Sequence, residues 1–162
     1  MTERFQKAKE DALKFLKSAD YMLTQTYPLV KDPKLLLAVL NNLSISLEHI
    51  MSAVLYYDRI YRRIPPFYDN FESKFNIFKM KSAPMNKLTE MVGFIHEINE
   101  LVSRHKHSPV EFSRKDAFVI CDDDYRMKTI TIQMLHDYVE KTKRFYSHME
   151  ETVRNLDERS FV

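Results

Sequence analysis

A single glycine, Gly93, in a chain of 162 residues is the feature that most restricts what this sequence can fold into. Glycine-rich phosphate loops, Asn-Gly hairpin turns and nucleophile elbows all depend on glycines that this chain does not contain. The sequence therefore excludes P-loop NTPases, dinucleotide-binding folds and α/β-hydrolases. It also argues against a protein built mainly of tight β-turns.

The remaining composition is typical of one globular domain over residues 1–162. Apolar residues make up 44 % and charged residues 30 % of the chain, and the formal net charge of +2 is too small to indicate DNA or an anionic membrane as a partner. The only cysteine, Cys121, precedes three aspartates that would suppress its thiolate, so we interpret it as structural. A single cysteine also favours a reducing, cytoplasmic location.

No membrane-spanning helix is expected from the distribution of charges. The longest uncharged run, residues 35–47, has 13 residues, whereas a bilayer requires about 20. The first residues are charged from the third position onward and contain no apolar core typical of a signal peptide.

Apolar residues recur at three- and four-residue spacing in five segments, which predicts five amphipathic helices. The predicted helices cover residues 3–24, 33–63, 67–80, 87–105 and 132–158. Prolines are expected to break the chain between helices, at Pro28, Pro65, Pro66, Pro84 and Pro109. Three polar residues are expected to cap helix starts, namely Asp32, Asn86 and Thr131.

Residues 117–131 differ from the helical segments, because two β-prone runs flank an acidic tip. The sequence thus predicts an all-α fold, an antiparallel bundle of about five helices with a small β-hairpin near residues 117–131. Helices are expected to cover more than about 60 % of the residues, well above the usual third.

The sequence offers little support for a metal or cofactor site. The Glu-x-x-His spacing of carboxylate di-iron bundles does not occur in it. His96 and Glu100 lie one helical turn apart, which is more typical of a solvent-facing polar pair. Residues 122–124 are aspartates but lack the alternating ligands and the glycine of a calcium loop. We therefore expect neither a metal nor a cofactor.

A basic and aromatic segment runs from Arg59 to Lys87, with seven Lys or Arg residues and two acidic ones. Cationic grooves with stacking aromatics bind single-stranded RNA, so this segment is one candidate surface. The helical spacing of its phenylalanines instead favours a core face, with the lysines on the solvated side.

The segment SRHKHSPVEF carries a second concentration of basic residues, at the expected end of the fourth helix. Positive side chains there complement the helix dipole without any further function. Arginine can also hold a phosphate, and histidine can transfer protons near neutral pH. A turn at Pro109 is expected to gather these residues into one exposed RNA-binding patch, consisting of Arg104, His105, Lys106, His107, Arg114 and Lys115.

Two segments near the start of the chain resemble the first two helices of HEPN-type helical bundles from prokaryotic nucleotide- and RNA-linked systems. They read DALKFLKSADYML, residues 11–23, and LNNLSISLEHIMSAVLYYDRIYRRIPP, residues 40–66, with Glu48 inside an apolar run that ends near prolines. The resemblance implies a compact α-bundle that is often a homodimer. Active members of that family carry an arginine, usually followed by a polar residue, and then a histidine after four to six residues.

That catalytic spacing is not matched here. After Arg104, the positions 109–111 hold proline, valine and glutamate, and the nearest histidine, His107, comes too early. Arg144 and His148 are also one residue short of the spacing. The resemblance therefore favours a non-catalytic module that binds RNA or a protein partner. The alternative is a metal-independent ribonuclease that uses Arg104 with His105 or His107.

A homodimer is expected for a further reason. Four large side chains near the end of the second helix lie on more than one face, so one bundle face would not bury all of them: Tyr56, Tyr57, Ile60 and Tyr61.

Overall fold

The structure of the chain is a computed structural model that describes residues 2–108, 110–122 and 124–160. Within these residues five helices and one three-stranded antiparallel sheet form the fold, and helices account for 76 % of them, which confirms the expected helical content. The sheet makes the fold less purely helical than predicted. Pro109, where a stop was predicted, lies outside the described residues.

The five helices are α1 to α5 in chain order. Helix α1 covers Thr2–Tyr21 and continues through a π-helical turn, Met22–Thr26, into a last turn, Tyr27–Val30. Helix α2 covers Lys34–Ile60. Helix α3 covers Phe71–Ile77 and continues in the same way through Phe78–Ser82 into Ala83–Met85. Helix α4 covers Thr89–His107 and helix α5 covers Ile132–Ser160.

Pro28 and Pro84 do not break their helices, contrary to the prediction. Each stands near the start of a short helical turn that directly follows a π-helical turn. A proline inside a helix lacks one N–H donor and collides with the preceding turn. A π-helical turn contains one extra residue, and we attribute the continuation of both helices to the room that this extra residue provides.

Two of the three predicted helix caps are confirmed and the third is wrong. The Asp32 carboxylate accepts the N–H of Lys34 at 3.0 Å, and the Thr131 hydroxyl accepts the N–H of Met134 at 3.1 Å. Asn86 caps nothing, because α4 begins only at Thr89 and the Asn86 amide is engaged in a buried contact with another helix.

The predicted hairpin is confirmed, but it belongs to a sheet of three strands in the order β1-β2-β3. The strands are β1, Val110–Arg114, β2, Ala117–Cys121, and β3, Met127–Thr131. The register pairs Phe112 with Val119 and Val119 with Thr129. Because successive side chains alternate between faces, Phe118, Ile120 and Ile130 all point to the inner face, where they join the core.

Helix α2 is the centre of the bundle. Fourteen of its residues are buried, and it contacts α1, α3, α4, α5 and strand β2. Its length and apolar composition alone would allow it to cross a bilayer, and half of that apolar window is buried inside the bundle. The expectation that the chain has no membrane span therefore stays a prediction.

The aromatic residues at the end of α2 find partners within one chain. The Tyr57 ring packs 5.2 Å from Phe5, its hydroxyl donates to Asp157 of α5, and Tyr56 stacks on Phe67 at 6.0 Å. Burial and the Asp157 carboxylate raise the pKa of Tyr57. Because these side chains pack within one chain, they do not require a dimer interface at this end of α2. The homodimer itself stays a prediction.

The scarcity of glycine leaves other residues in left-handed backbone positions. Lys31 follows the last turn of α1 with a φ of 53°, and Arg62, Lys87, Asp116 and Tyr125 also have positive φ. An L-residue with a side chain is strained in this conformation by roughly 1–2 kcal/mol, whereas glycine is not. The chain therefore retains strain at the ends of α1, α2 and α3.

This strain predicts that Lys31→Gly stabilises the protein. Lys31 is exposed and left-handed, so the substitution should raise the free energy of unfolding by about 0.5–1 kcal/mol. Lys17→Gly is the matched control, because Lys17 is an exposed lysine inside α1, where glycine should cost about 1 kcal/mol. Urea unfolding of both variants measures the difference, and destabilisation by Lys31→Gly would contradict the prediction.

Candidate functional site

The basic segment predicted as a site is split between the end of α4 and the first strand. Arg104, Lys106 and His107 belong to the last turn of α4. Arg104 is half-buried, whereas Lys106 and His107 are exposed. Cations at this end of a helix interact favourably with its dipole, so part of this charge has a structural use.

His105 is held against the sheet. Its Nδ1 lies 2.9 Å from Oε1 of Glu111 in β1, and its ring meets the edge of Phe118 at a centroid distance of 6.4 Å. An ionised carboxylate only accepts, so the imidazole donates to Glu111 through Nδ1 in this contact. The Ser108 hydroxyl adds a second link, because it donates to the Cys121 carbonyl at 2.8 Å. His105 thus joins the end of α4 to the inner face of the sheet.

Arg114 lies on the opposite face of the sheet. The alternation of β1 places Glu111 on the inner face and Arg114 on the outer one, together with Phe112. The Arg114 guanidinium carbon is 5.3 Å from the centroid of the Phe112 ring, and this ring is 37 % exposed. The structure therefore brings His105 and Glu111 together on one side, and Arg114 and Phe112 on the other.

The turn that presents Lys115 is anchored to the helical bundle. The Tyr27 hydroxyl donates to the Asp116 carboxylate at 2.8 Å, and burial together with this contact raises the pKa of Tyr27 to about 12. Lys115 is exposed beside this anchor. The β1–β2 turn is thus tied to the end of α1, and it holds the exposed Lys115 next to Arg114.

The outer face of the sheet also carries apolar side chains outside the core cluster. Val119 occupies its centre with 1 % exposure, and its cross-strand neighbours on this face are Phe112 and Thr129. Met127 lies on the same face and is 62 % exposed. Phe112 was missed as a candidate from the sequence, although the alternating pattern VEFSR is the signal for a strand with an outward phenylalanine.

In the basic and aromatic segment from Arg59 to Lys87, the phenylalanines mainly pack in or against the core, as their helical spacing favours. Phe78 is fully buried, and Phe71 and Phe75 stack on each other at 5.6 Å while packing against the core. Lys74 pairs with Asp69 at 2.7 Å. The phenylalanines of this segment are therefore engaged in packing.

Neither the aspartate-rich loop nor any other described part of the chain forms a metal site. No group of three or more His, Cys, Asp or Glu side chains with suitable placement occurs within residues 2–108, 110–122 and 124–160. Asp122 instead closes its own loop, because its carboxylate accepts the N–H groups of Asp124 and Arg126 at 3.0 and 2.8 Å.

A buried carboxylate joins the ends of α2 and α3. Asp58 is 1 % exposed, and its two oxygens accept from Arg63 Nη1 at 3.1 Å and from Asn86 Nδ2 at 2.9 Å. The Asn86 amide also accepts from Arg63 and donates to the Ser82 carbonyl. Burial raises the pKa of Asp58, and Arg63 and Asn86 oppose this only in part. This cluster was not predicted from the sequence because Asn86 lies 28 residues from Asp58 in the chain.

Comparison with protein-family models, with curated proteins and with solved structures finds no match for this chain. The resemblance to HEPN-type bundles therefore stays a prediction.

The Asp58 cluster predicts a strong dependence of stability on one carboxylate. Asp58→Ala leaves Arg63 and Asn86 without their common partner, so the free energy of unfolding should fall by about 3 kcal/mol. Glu140→Ala serves as the control, because Glu140 is paired with Lys143 at 3.2 Å between two exposed side chains, and its loss should cost less than about 1 kcal/mol. Urea unfolding of the two variants compares them, and equal losses would show that Asp58 has no special role.

Proposed function

We propose that this chain is a non-catalytic helical-bundle module that binds single-stranded RNA on the outer face of its sheet. The observation that carries the proposal is the exposed Phe112 ring with the Arg114 guanidinium at one side of it. An aromatic ring beside a cation offers a base a stacking surface and its phosphate a counter-charge. Arg104 and Lys106 are further cations at the end of α4, which contacts the sheet through His105 on the inner face.

The size of the surface favours a single strand. Each strand of the sheet has only five residues, which corresponds to about 17 Å and accommodates a few unstacked bases. The chain has a formal net charge of only +2, whereas duplex binders usually present a large basic surface. Stacking on Phe112, which contributes about 1–3 kcal/mol per base in comparable sites, would supply affinity that this modest charge does not.

Of the six residues predicted to bind RNA, five fit this role better than the sixth. Arg104, Lys106, His107, Arg114 and Lys115 have no ion-pair partner among the described residues. His105 differs, because its Nδ1 is engaged with Glu111. We therefore propose Phe112, Arg114 and Lys115 as the RNA contacts on the outer face, Arg104, Lys106 and His107 as contacts for the RNA backbone at the end of α4, and His105 as the residue that positions this end.

The proposal predicts that Phe112→Ala weakens RNA binding. Loss of one stacked base should lower the affinity for a fluorescent single-stranded oligonucleotide roughly tenfold. The double variant Arg104→Ala with Arg114→Ala should also bind more weakly and show a flatter salt dependence, since fewer counterions are released. Fluorescence anisotropy at several salt concentrations measures both effects.

Two control variants match these changes elsewhere on the surface. Tyr68→Ala removes an aromatic ring that is 79 % exposed, and Lys79→Ala removes an exposed cation. Both should bind RNA like the parent chain. The proposal fails if the parent has negligible affinity for RNA, or if the controls lose as much affinity as the sheet variants. A parent that binds no RNA but self-associates would point to a protein partner on this face.

A metal-independent ribonuclease is the second candidate, and the pairing of His105 with Glu111 favours it. A carboxylate on one ring nitrogen fixes the orientation of the imidazole and leaves the other nitrogen able to take up a proton, as a general base requires. Arg104, the preceding residue, would then hold the phosphate. The chain does not match the Arg–His spacing of active HEPN-type bundles, and this favours the non-catalytic function.

This alternative predicts different outcomes for two neighbouring histidines. If the chain cleaves RNA in the presence of EDTA, His105→Ala should lower the cleavage rate at least about a hundredfold, because general acid–base catalysis contributes that much. His107→Ala should leave the rate at saturating RNA unchanged, since no carboxylate orients His107 among the described residues. Equal losses in both variants, or no cleavage by the parent, would eliminate the ribonuclease.

A further inference from the structure

A polar cavity of about 220 Å³ lies between the ends of α2 and α3 and the C-terminal half of α5. It is far from the sheet, because α5 begins directly after β3 and reaches the cavity some twenty residues later, a distance of roughly 30 Å along the helix. Its polar side chains are mostly basic or amide groups: Arg63, Asn86, Lys87, His148, Asn155 and Arg159. Glu151 is the one carboxylate in its lining.

Arg63 is fixed in the wall of this cavity by the buried cluster beneath it. The hydrogen bonds to Asp58 and Asn86, at 3.1 and 3.2 Å, both use Nη1. In the described part of the chain Nη2 and Nε of Arg63 are therefore not engaged. A guanidinium that is anchored at one nitrogen and has two donors left is preorganised to bind an oxyanion in a bidentate manner.

Lys87 enters the cavity lining from a strained backbone position. Its φ is 57°, in the link between α3 and α4, where a glycine would be free of strain. Arg159 contributes a third permanent cation from the last turn of α5. These three cations outnumber Glu151 in the lining and Asp58 beneath Arg63, so the cavity has an excess of positive charge.

We infer that this cavity is a binding site for a phosphomonoester group. Arg63 holds two of its oxygens, Lys87 and Arg159 neutralise its charge, and the Asn155 amide offers a further hydrogen bond. The volume is below the 300–1,000 Å³ typical of sites for whole cofactors, so the site takes one phosphate group with at most a small attached part. This inference does not depend on RNA binding at the sheet.

Titration calorimetry of the full chain with inorganic phosphate tests the inference, at a constant ionic strength of about 0.1 M so that weak surface attraction is screened. The parent should bind one phosphate saturably. Lys87→Gly removes a cation and also relieves backbone strain, so it should fold normally and bind about tenfold more weakly, as expected for the loss of one charge-assisted contact. Circular dichroism verifies the fold.

Arg62→Gly is the matched control. Arg62 is also an exposed cation with a positive φ, of 55°, and it does not line the cavity. This variant should bind phosphate like the parent. Absence of saturable phosphate binding by the parent overturns the inference, and so does an equal loss of affinity in Lys87→Gly and Arg62→Gly, which would indicate general surface charge.

Two further probes identify the source of the phosphate. Ribose 5-phosphate represents a small phosphomonoester, and a short RNA with a 5′-phosphate, compared with the same RNA ending in a hydroxyl, represents a nucleic-acid end. The probe whose affinity falls in Lys87→Gly, compared with the parent, identifies the chemical class of ligand that the site takes. Binding of unphosphorylated RNA should be sensitive to Phe112→Ala and insensitive to Lys87→Gly, so the two sites are tested separately.

Discussion

Burial of helix α2 on nearly all of its faces is the interaction on which the other elements depend. Between Ile50 and Leu55 every residue is buried, so this part of the helix needs partners on each side. The two halves of the chain supply them, because α1 covers one side while α3, α4, α5 and strand β2 cover the others. Removal of a large apolar side chain from such a helix typically costs 2–5 kcal/mol, so loss of any one neighbour of α2 is expected to destabilise the fold.

Asp58 is the one ionisable carboxylate within this buried surface. Its oxygens are satisfied by Arg63 and Asn86, which come from the segment after α2 and from the end of α3. A buried carboxylate without these donors would be strongly unfavourable, so the cluster determines how the two chain segments meet. The same contacts hold Arg63 in the wall of the basic cavity, and the structural role of Asp58 and the proposed phosphate site therefore share one cause.

The small sheet contains one strand, β1, beyond the hairpin that the sequence predicts, and this strand is held in place by packing. A two-stranded hairpin has one face to bury and two exposed edges, and alone it is marginally stable. Strand β1 pairs with one edge of β2, and the contact between His105 and Glu111 ties it to α4. The outer face is left with Phe112 and Arg114, so the candidate RNA surface lies on β1, a strand that we did not predict from the sequence despite its alternating pattern.

The sequence by itself determined the number and type of the helices, the hairpin and the caps at Asp32 and Thr131, because these depend on periodicity and on neighbouring residues. It did not determine that the helices continue through Pro28 and Pro84, since the π-helical turns before these prolines pack against α2 and local spacing does not indicate them. The partner of Asn86, the exposure of Phe112 and the basic cavity were likewise decided by tertiary structure. Each of them depends on contacts between residues far apart in the chain, and local spacing contains no information about such contacts.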